Sequence, residues 1–219
     1  MAKITAEEKE LLKKTTFITD EKIDADDLDD ESRLALKEIR SINTYLKKNY
    51  PSYDLELFPG YLKKGTTRDY DYFAFKERGA DIDEYYGEVR IWEDNGNLTL
   101  KDNQYANVIK GYTTDYIKEI LDSAKAPYIE VTVTFSSFVG DGVGEKLLFR
   151  EVLGGKTDII SHIKIALDGS KIDDGTYESY CEKLGAAIKN AGVASEVFLL
   201  VYKSAQKTRV TDRLYSATF

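Results

Sequence analysis

The sequence predicts an α+β protein of largely antiparallel strands with helices packed on one face. Three observations carry that expectation. Strand-length segments come in runs, not in strict βα alternation, which favours antiparallel sheets over a doubly wound parallel one. Helical periodicity is confined to segments bounded by recognisable caps and stops. Asn95-Gly96 sits between two strand-length runs and is the strongest short hairpin signal, because both central residues of a type I′ turn need positive φ. The order read along the chain is α-α-ββββ-α-βββ-α-ββ.

Thr5-Ala6-Glu7-Glu8 has capping-box spacing, and a short helix to about Lys14 follows. Residues 20–31 hold eight carboxylates against one lysine, Lys22. Self-repulsion is expected to keep that run solvated, as a linker or mobile arm ending in an N-cap at Asp29 or Asp30. The next helix runs to about Lys48 with Ala35, Ile39, Ile42 and Leu46 on one stripe, and Pro51 stops it. Strands are expected at 54–57, 69–75, 85–92 and 98–100. A helix over 103–124 follows, with a break near Gly111. Residues 129–137 alternate cleanly between apolar and polar positions. Lys146–Leu153 and Ile159–Leu167 read as two further strands. Thr176–Asn190 reads as a helix stopped by Gly192, with Cys181, Leu184 and Ile188 inward. Glu196–Lys203 is apolar enough for a central strand, and a last strand covers about 209–217. The expected organisation is an acidic helix and linker over 1–31 and one composite α+β domain over 32–219, with a candidate sub-boundary near 126–128.

Composition narrows the function. The 219 residues carry 31 basic and 39 acidic side chains, a formal charge of −8, which argues against direct nucleic-acid binding. One cysteine excludes an internal disulfide, and one histidine removes most imidazole chemistry. No segment has the roughly 18–20 apolar residues of a membrane span. The N-terminus has no apolar leader region, so a cytoplasmic location is expected; an extracytoplasmic, tethered one follows if the chain is cut from a longer precursor.

Candidate catalytic and ligand motifs each fail a chemical requirement. The loop Gly140–Lys146 lacks the glycine a dinucleotide fingerprint needs at Glu145, and Leu147 stands where a P-loop needs Ser or Thr. An EF-hand begun at Asp24 has Leu28, Asp29 and Ala35 at positions that need a ligand, a glycine and a glutamate. Asp69 and Asp71 share a strand parity and are the strongest candidates for a hard cation, with Asp81, Asp83, Glu84 and Asp94 as further carboxylates. His162 falls mid-strand, and Cys181 lies on a helix's apolar stripe, where a thiol behaves as a small hydrophobe. No catalytic residue, metal site or cofactor is assigned.

The unusual feature is tyrosine, present 16 times against a single Trp. On strand 85–92, Tyr85, Val89 and Ile91 suit the core, while Tyr86, Glu88, Arg90 and Trp92 share the opposite face. Tyr70 and Tyr72 lie in the strand before it. Tyr, Arg and Trp on one face suit a protein interface or sugar stacking; a covering helix would instead make them a second core. Residues 1–100 carry 16 basic and 23 acidic groups, so the acidity is N-terminal and steers toward basic partners.

The run Ile42-Asn-Thr-Tyr-Leu-Lys-Lys-Asn-Tyr-Pro-Ser-Tyr-Asp-Leu-Glu-Leu, the aromatic strands and Leu100-Lys-Asp-Asn-Gln-Tyr-Ala-Asn-Val together resemble small Gram-positive extracytoplasmic lipoproteins with cystatin-like folds. The resemblance spans about residues 35–125, implies a non-enzymatic, surface-tethered role and carries over no catalytic residues.

The function expected is a non-catalytic acidic binding protein of inhibitor, immunity or surface-accessory type. Its binding surface would be Tyr70, Tyr72, Tyr86, Glu88, Arg90 and Trp92, and its partner a protein with a basic surface; the oligomeric state is left open. Two alternatives stand beside it. One is an enzyme with a carboxylate or divalent-metal site around Asp69, Asp71, Asp81 and Asp83. The other is a carbohydrate-binding module using the exposed aromatics.

Overall fold

The computed structural model describes residues 3–80, 86–144, 147–206 and 208–219. The α+β class holds, with two four-stranded sheets in two compact units. One unit comprises Met1–Tyr105 with Phe138–Lys146, the other Ala106–Ser137 with Leu147–Phe219. The chain crosses between them inside a helix, at Tyr105–Ala106, and residues 126–128 lie within the second unit.

In the first unit, α1 (Ala6–Thr16) opens on the predicted capping box: the Glu8 N–H donates to Thr5 Oγ1 and the Thr5 N–H to Glu8 Oε2. Residues 20–31 depart from the linker expectation. They form α2 (Asp20–Asp24) and bury Ile23 and Leu28. Two of the eight carboxylates there are paired from α1, with Lys9 bonded to Asp20 and Asp24 and Lys13 to Asp20. Helix α3 (Asp30–Asn49) starts at Asp29, whose side chain accepts from the Ser32 N–H, and buries all four residues of its predicted stripe.

Four strands follow as an antiparallel meander, β1 (Leu55–Tyr61), β2 (Asp71–Glu77), β3 (Gly87–Asp94) and β4 (Asn97–Asp102), in spatial order β1-β2-β3-β4. Asn95 and Gly96 both take positive φ, 51° and 81°, and close the β3–β4 hairpin between Asp94 and Asn97 as a type I′ turn requires. Along β2 and β3 burial alternates strictly. Phe73, Phe75, Val89 and Ile91 are buried while Tyr72, Arg90 and Trp92 keep partial exposure. α1 and α3 pack on β1, and α3 also on β4.

Two cross-strand glycines let the core phenylalanines lie flat. Gly60 is opposite Phe73 and Gly87 opposite Phe75. A Cβ on Gly87 would stand 2.2 Å from the Phe75 ring, and one on Gly60 2.4 Å from the Phe73 ring. Both rings sit in a fully buried core and cannot retreat without strain. Gly87→Ala is therefore expected to destabilise this unit by about 1–3 kcal/mol, measured as a lower urea midpoint followed by tryptophan fluorescence.

In the second unit, α4 (Gln104–Ser123, its first two residues belonging to the first unit) runs unbroken past Gly111. It is followed by β5 (Tyr128–Phe135), α5 (Phe149–Leu153), β6 (Ser161–Asp168), α6 (Tyr177–Asn190), β7 (Glu196–Tyr202) and β8 (Arg213–Thr218). The sheet order is β5-β6-β7-β8, antiparallel except for β6 and β7, which are parallel and joined through α6. Within the run 146–153, expected as a strand, Phe149–Leu153 form the helix α5 instead. β7 is internal, as its apolar run predicts, and Val197, Leu199 and Val201 join Ile163, Ile165 and Leu167 in one core with Cys181, Leu184 and Ile188 of α6.

Candidate functional site

The candidate site is built on the outer face of the first sheet. Antiparallel register sets Tyr61 of β1 opposite Tyr72 of β2, Tyr72 opposite Arg90 of β3, and Arg90 opposite Lys101 of β4. Directly opposed residues share a face, so these four side chains form one row across the whole sheet. The Tyr61 and Tyr72 rings stack at 4.9 Å and 11°. The Arg68 guanidinium lies 4.7 Å from the Tyr72 ring centre, and that of Arg90 lies 4.7 Å from Tyr70 and 3.8 Å from Phe138. Tyr70 contacts Trp92 at 5.4 Å, and Lys101 Nζ stands 5.9 Å from the Trp92 ring. Each cation of this face is thus held over an electron-rich ring face.

Hydrogen bonds fix this arrangement. Trp92 Nε1 donates to Asp69 Oδ2 at 3.2 Å, and Arg90 Nε donates to Glu88 Oε1 at 2.7 Å. Of the six residues expected from sequence, Tyr70, Tyr72, Glu88, Arg90 and Trp92 come together. Tyr86 does not join them; its ring meets Phe58 edge-on at 5.4 Å, and Lys76 Nζ lies 5.6 Å from Phe58. Sequence reading missed Tyr61, Arg68, Lys101 and Phe138. Tyr61 is displaced from simple period 2 by a register shift between Leu57 and Gly60, and Phe138 arrives from a segment far along the chain. The row is accessible at its β1 end, where Tyr61 is 58% exposed.

The carboxylate pair proposed for a cation is divided. Asp69 is exposed and bound to Trp92, whereas Asp71 is buried on the inner face and accepts from the Lys63 N–H. Asp81, Asp83, Glu84 and Tyr85 lie outside the described residues. Among the described residues no group of three or more His, Cys, Asp or Glu side chains is placed to hold a metal ion. His162 is partly exposed on β6 with Nδ1 2.9 Å from Glu196 Oε2, while Ser161, of opposite parity, is buried and hydrogen-bonded to Ser195. Those residues do not form a nucleophile–base pair. Burial pushes the Cys181 thiol up to about 11, leaving it protonated near neutral pH.

Two buried clusters of the first unit were invisible to sequence reading. Asp102, fully buried, accepts from Tyr45 Oη at 2.5 Å, Tyr50 Oη at 2.6 Å and the Gln104 N–H at 2.7 Å. Its main chain pairs with Val139 in both directions. Burial raises the Asp102 carboxyl above its ordinary value, opposed by the three donors. Burial, reinforced by the neighbouring carboxylate, likewise raises both tyrosine hydroxyls. The second cluster is Glu38, buried on α3. Among the described residues neither of its carboxyl oxygens has a hydrogen-bond partner, and burial, then the charge of Asp71, pushes it up to about 8.

A groove of about 1030 Å³ runs between α3 and the free edge of β4. Cations line it from both sides, and Gly140 and Asp141 complete its wall. Among the described residues no helix is long and apolar enough to cross a membrane. Compared with family models, curated proteins and solved structures, the chain matches none.

Proposed function

We propose that this chain is a non-catalytic binding protein that engages another protein through the outer face of its first sheet, in an inhibitor, immunity or surface-accessory role. The observation that carries the reading is the Tyr61–Tyr72–Arg90–Lys101 row with Tyr70, Trp92 and Arg68 packed into it. Tyr, Trp and Arg bury much area per rotatable bond and dominate interface energetics. Here they are already ordered by stacking and by the Asp69 and Glu88 bonds, so docking costs little further side-chain entropy. The resemblance of residues 35–125 to small extracytoplasmic lipoproteins with cystatin-like folds implies a non-enzymatic role of the same kind. Charge acts at two ranges. The net −8 steers basic partners from a distance, while the face itself presents Arg68, Arg90 and Lys101 against Asp69 and Glu88.

The test begins with capture of a stoichiometric partner from the native host's lysate, followed by affinity measurement with purified proteins. Trp92→Ala removes the ring joining Tyr70 to Lys101, and is expected to weaken binding by roughly tenfold or more with the melting temperature nearly retained. Ile160→Ala, an exposed apolar site in the second unit, serves as the control. Equal affinity for Trp92→Ala and the wild type would sink the assignment of this face.

A further inference from the structure

The β4 edge is an unfilled place in a sheet. Asp102 turns its N–H and C=O away from β3 and pairs both with Val139, at 2.9 and 2.8 Å, whereas the Asn103 N–H points back to Glu88 O. Main-chain groups alternate along an antiparallel strand, so Leu100 and Leu98 share the outward direction of Asp102, while Thr99 and Lys101 face β3. β4 is the last strand of its sheet, and Val139 makes only an isolated bridge to it. Two successive outward N–H and C=O pairs therefore border the groove; among the described residues no strand pairs with them, and Gly140 flanks the Leu100 carbonyl.

The lining of that groove specifies what would pair there. Leu34, Leu98 and Leu100 supply apolar surface. Arg33, Lys37, Arg40 and Lys48 of α3 and Lys101 of β4 supply five cations against one carboxylate, Asp141. Arg40 is bound by Glu8, and Lys48 by Asp141. Among the described residues Arg33, Lys37 and Lys101 are in no ion pair; Lys37 Nζ donates to the Gly96 carbonyl and the Arg33 Nε to that of Leu28. A locally basic trough in a chain of net charge −8 has the sign that attracts acidic side chains. A second copy of this chain, pairing edge to edge across a two-fold axis, would set these cations against themselves.

We propose that the groove binds an extended acidic segment of a partner protein, which adds as a strand to β4 beyond Val139. Its backbone pairs with Leu98 and Leu100, its alternate apolar side chains enter the trough, and its carboxylates meet Lys37, Arg33 and Lys101. This is strand addition, in which main-chain bonds give affinity and the alternate side chains give specificity. The inference rests on the reading of the chain as a protein-binding module, but its groove shares only Lys101 with the aromatic face.

The probe is a fluorescent, end-blocked peptide of alternating Glu and Val, about seven residues long. Three comparisons test it. The Glu/Val peptide is expected to bind the full chain saturably, and a Lys/Val peptide at least roughly tenfold more weakly. Methylating its backbone nitrogens on the edge facing β4 keeps charge and shape but removes the donors, and is expected to abolish binding. Lys37→Glu and Arg33→Glu, both exposed, are each expected to weaken binding several-fold. At saturation, amide exchange should slow at Leu98 and Leu100, and not at Thr99, which is already paired to β3.

Equal binding of the Lys/Val or N-methylated peptide, no saturable binding, or unchanged exchange at Leu98 and Leu100 would overturn the proposal. The two readings fail separately. Loss of the peptide arm with Trp92-dependent partner binding intact removes only the groove. Peptide binding with a Trp92-independent partner removes only the aromatic face.

Discussion

Asp102→Ala is expected to destabilise the first unit by about 3–5 kcal/mol, the largest effect of any single substitution considered for it. The carboxylate is the shared acceptor of Tyr45 Oη, Tyr50 Oη and the Gln104 N–H, all buried. Alanine leaves those donors without it; Tyr45 keeps the Val139 carbonyl at 3.2 Å. An orphaned buried donor costs roughly 1–3 kcal/mol, which exceeds the gain from no longer desolvating a carboxylate. Asp102→Asn should cost less, because an amide oxygen still accepts and the tyrosine hydroxyls can rotate to accept from its nitrogen. Tyr45→Phe and Tyr50→Phe remove one donor each, so each should cost about 1–2 kcal/mol. Both combined with Asp102→Ala should be clearly less than additive. Trp92 is the only tryptophan and lies in the same unit, so urea titration by fluorescence reports this unit directly. An Asp102→Ala midpoint within experimental error of the wild type would show that the cluster contributes no net stability.

That cluster also marks the limit of what the sequence exposes. Elements with their own local signal were legible. The Thr5–Glu8 box, the α3 stripe, the Asn95-Gly96 turn, and the alternation on β3 and β5 each follow from residues within a few positions of one another. The aromatic face was legible for the same reason, since Glu88, Arg90 and Trp92 share a parity on one strand. Asp102, Tyr45, Tyr50 and Val139 meet only after three segments have packed, and nothing local distinguishes Asp102 from a solvated carboxylate. Residues 20–31 misled in the opposite direction. Their charge alone predicts a solvated run, but the lysines of α1 pair Asp20 and Asp24, and the buried Ile23 and Leu28 dock the segment. Residues 146–153 failed because a short apolar run fits either a strand or one buried helical turn; Val152 and Leu153, adjacent and both buried, fit the helix. The basic groove could not be read at all. It depends on which strand ends the sheet, and that is a property of pairing rather than of β4 itself.

Glu38 makes the stability of the first unit depend on pH in a direction opposite to most acidic side chains. Burial on α3 and the charge of Asp71 on β2 hold its carboxyl near 8, with Lys63 pulling it down and Glu93 adding to the rise. In the unfolded chain the same group titrates near 4.5. Between those values the native state holds a proton that the unfolded state has released, so stability must fall as pH rises through this window. Each pH unit costs at most about 1.4 kcal/mol, and the penalty is complete above the native value and absent below the unfolded one. Asp102, also raised, acts in the same sense. The lowered carboxyls Glu8, Asp20 and Asp29 titrate below this window and leave it undisturbed. Glu38→Gln keeps the shape and removes the titration, and its amide can donate to Asp71. It is expected to match the wild type near pH 5 and to exceed it by a few kcal/mol near pH 9, in paired urea titrations at constant ionic strength. Comparison at each pH cancels the Asp102 contribution, because both proteins carry it. A stability difference that stays constant from pH 5 to pH 9 would mean that Glu38 is ionised in the fold, with a partner for its charge that the buried surroundings do not provide.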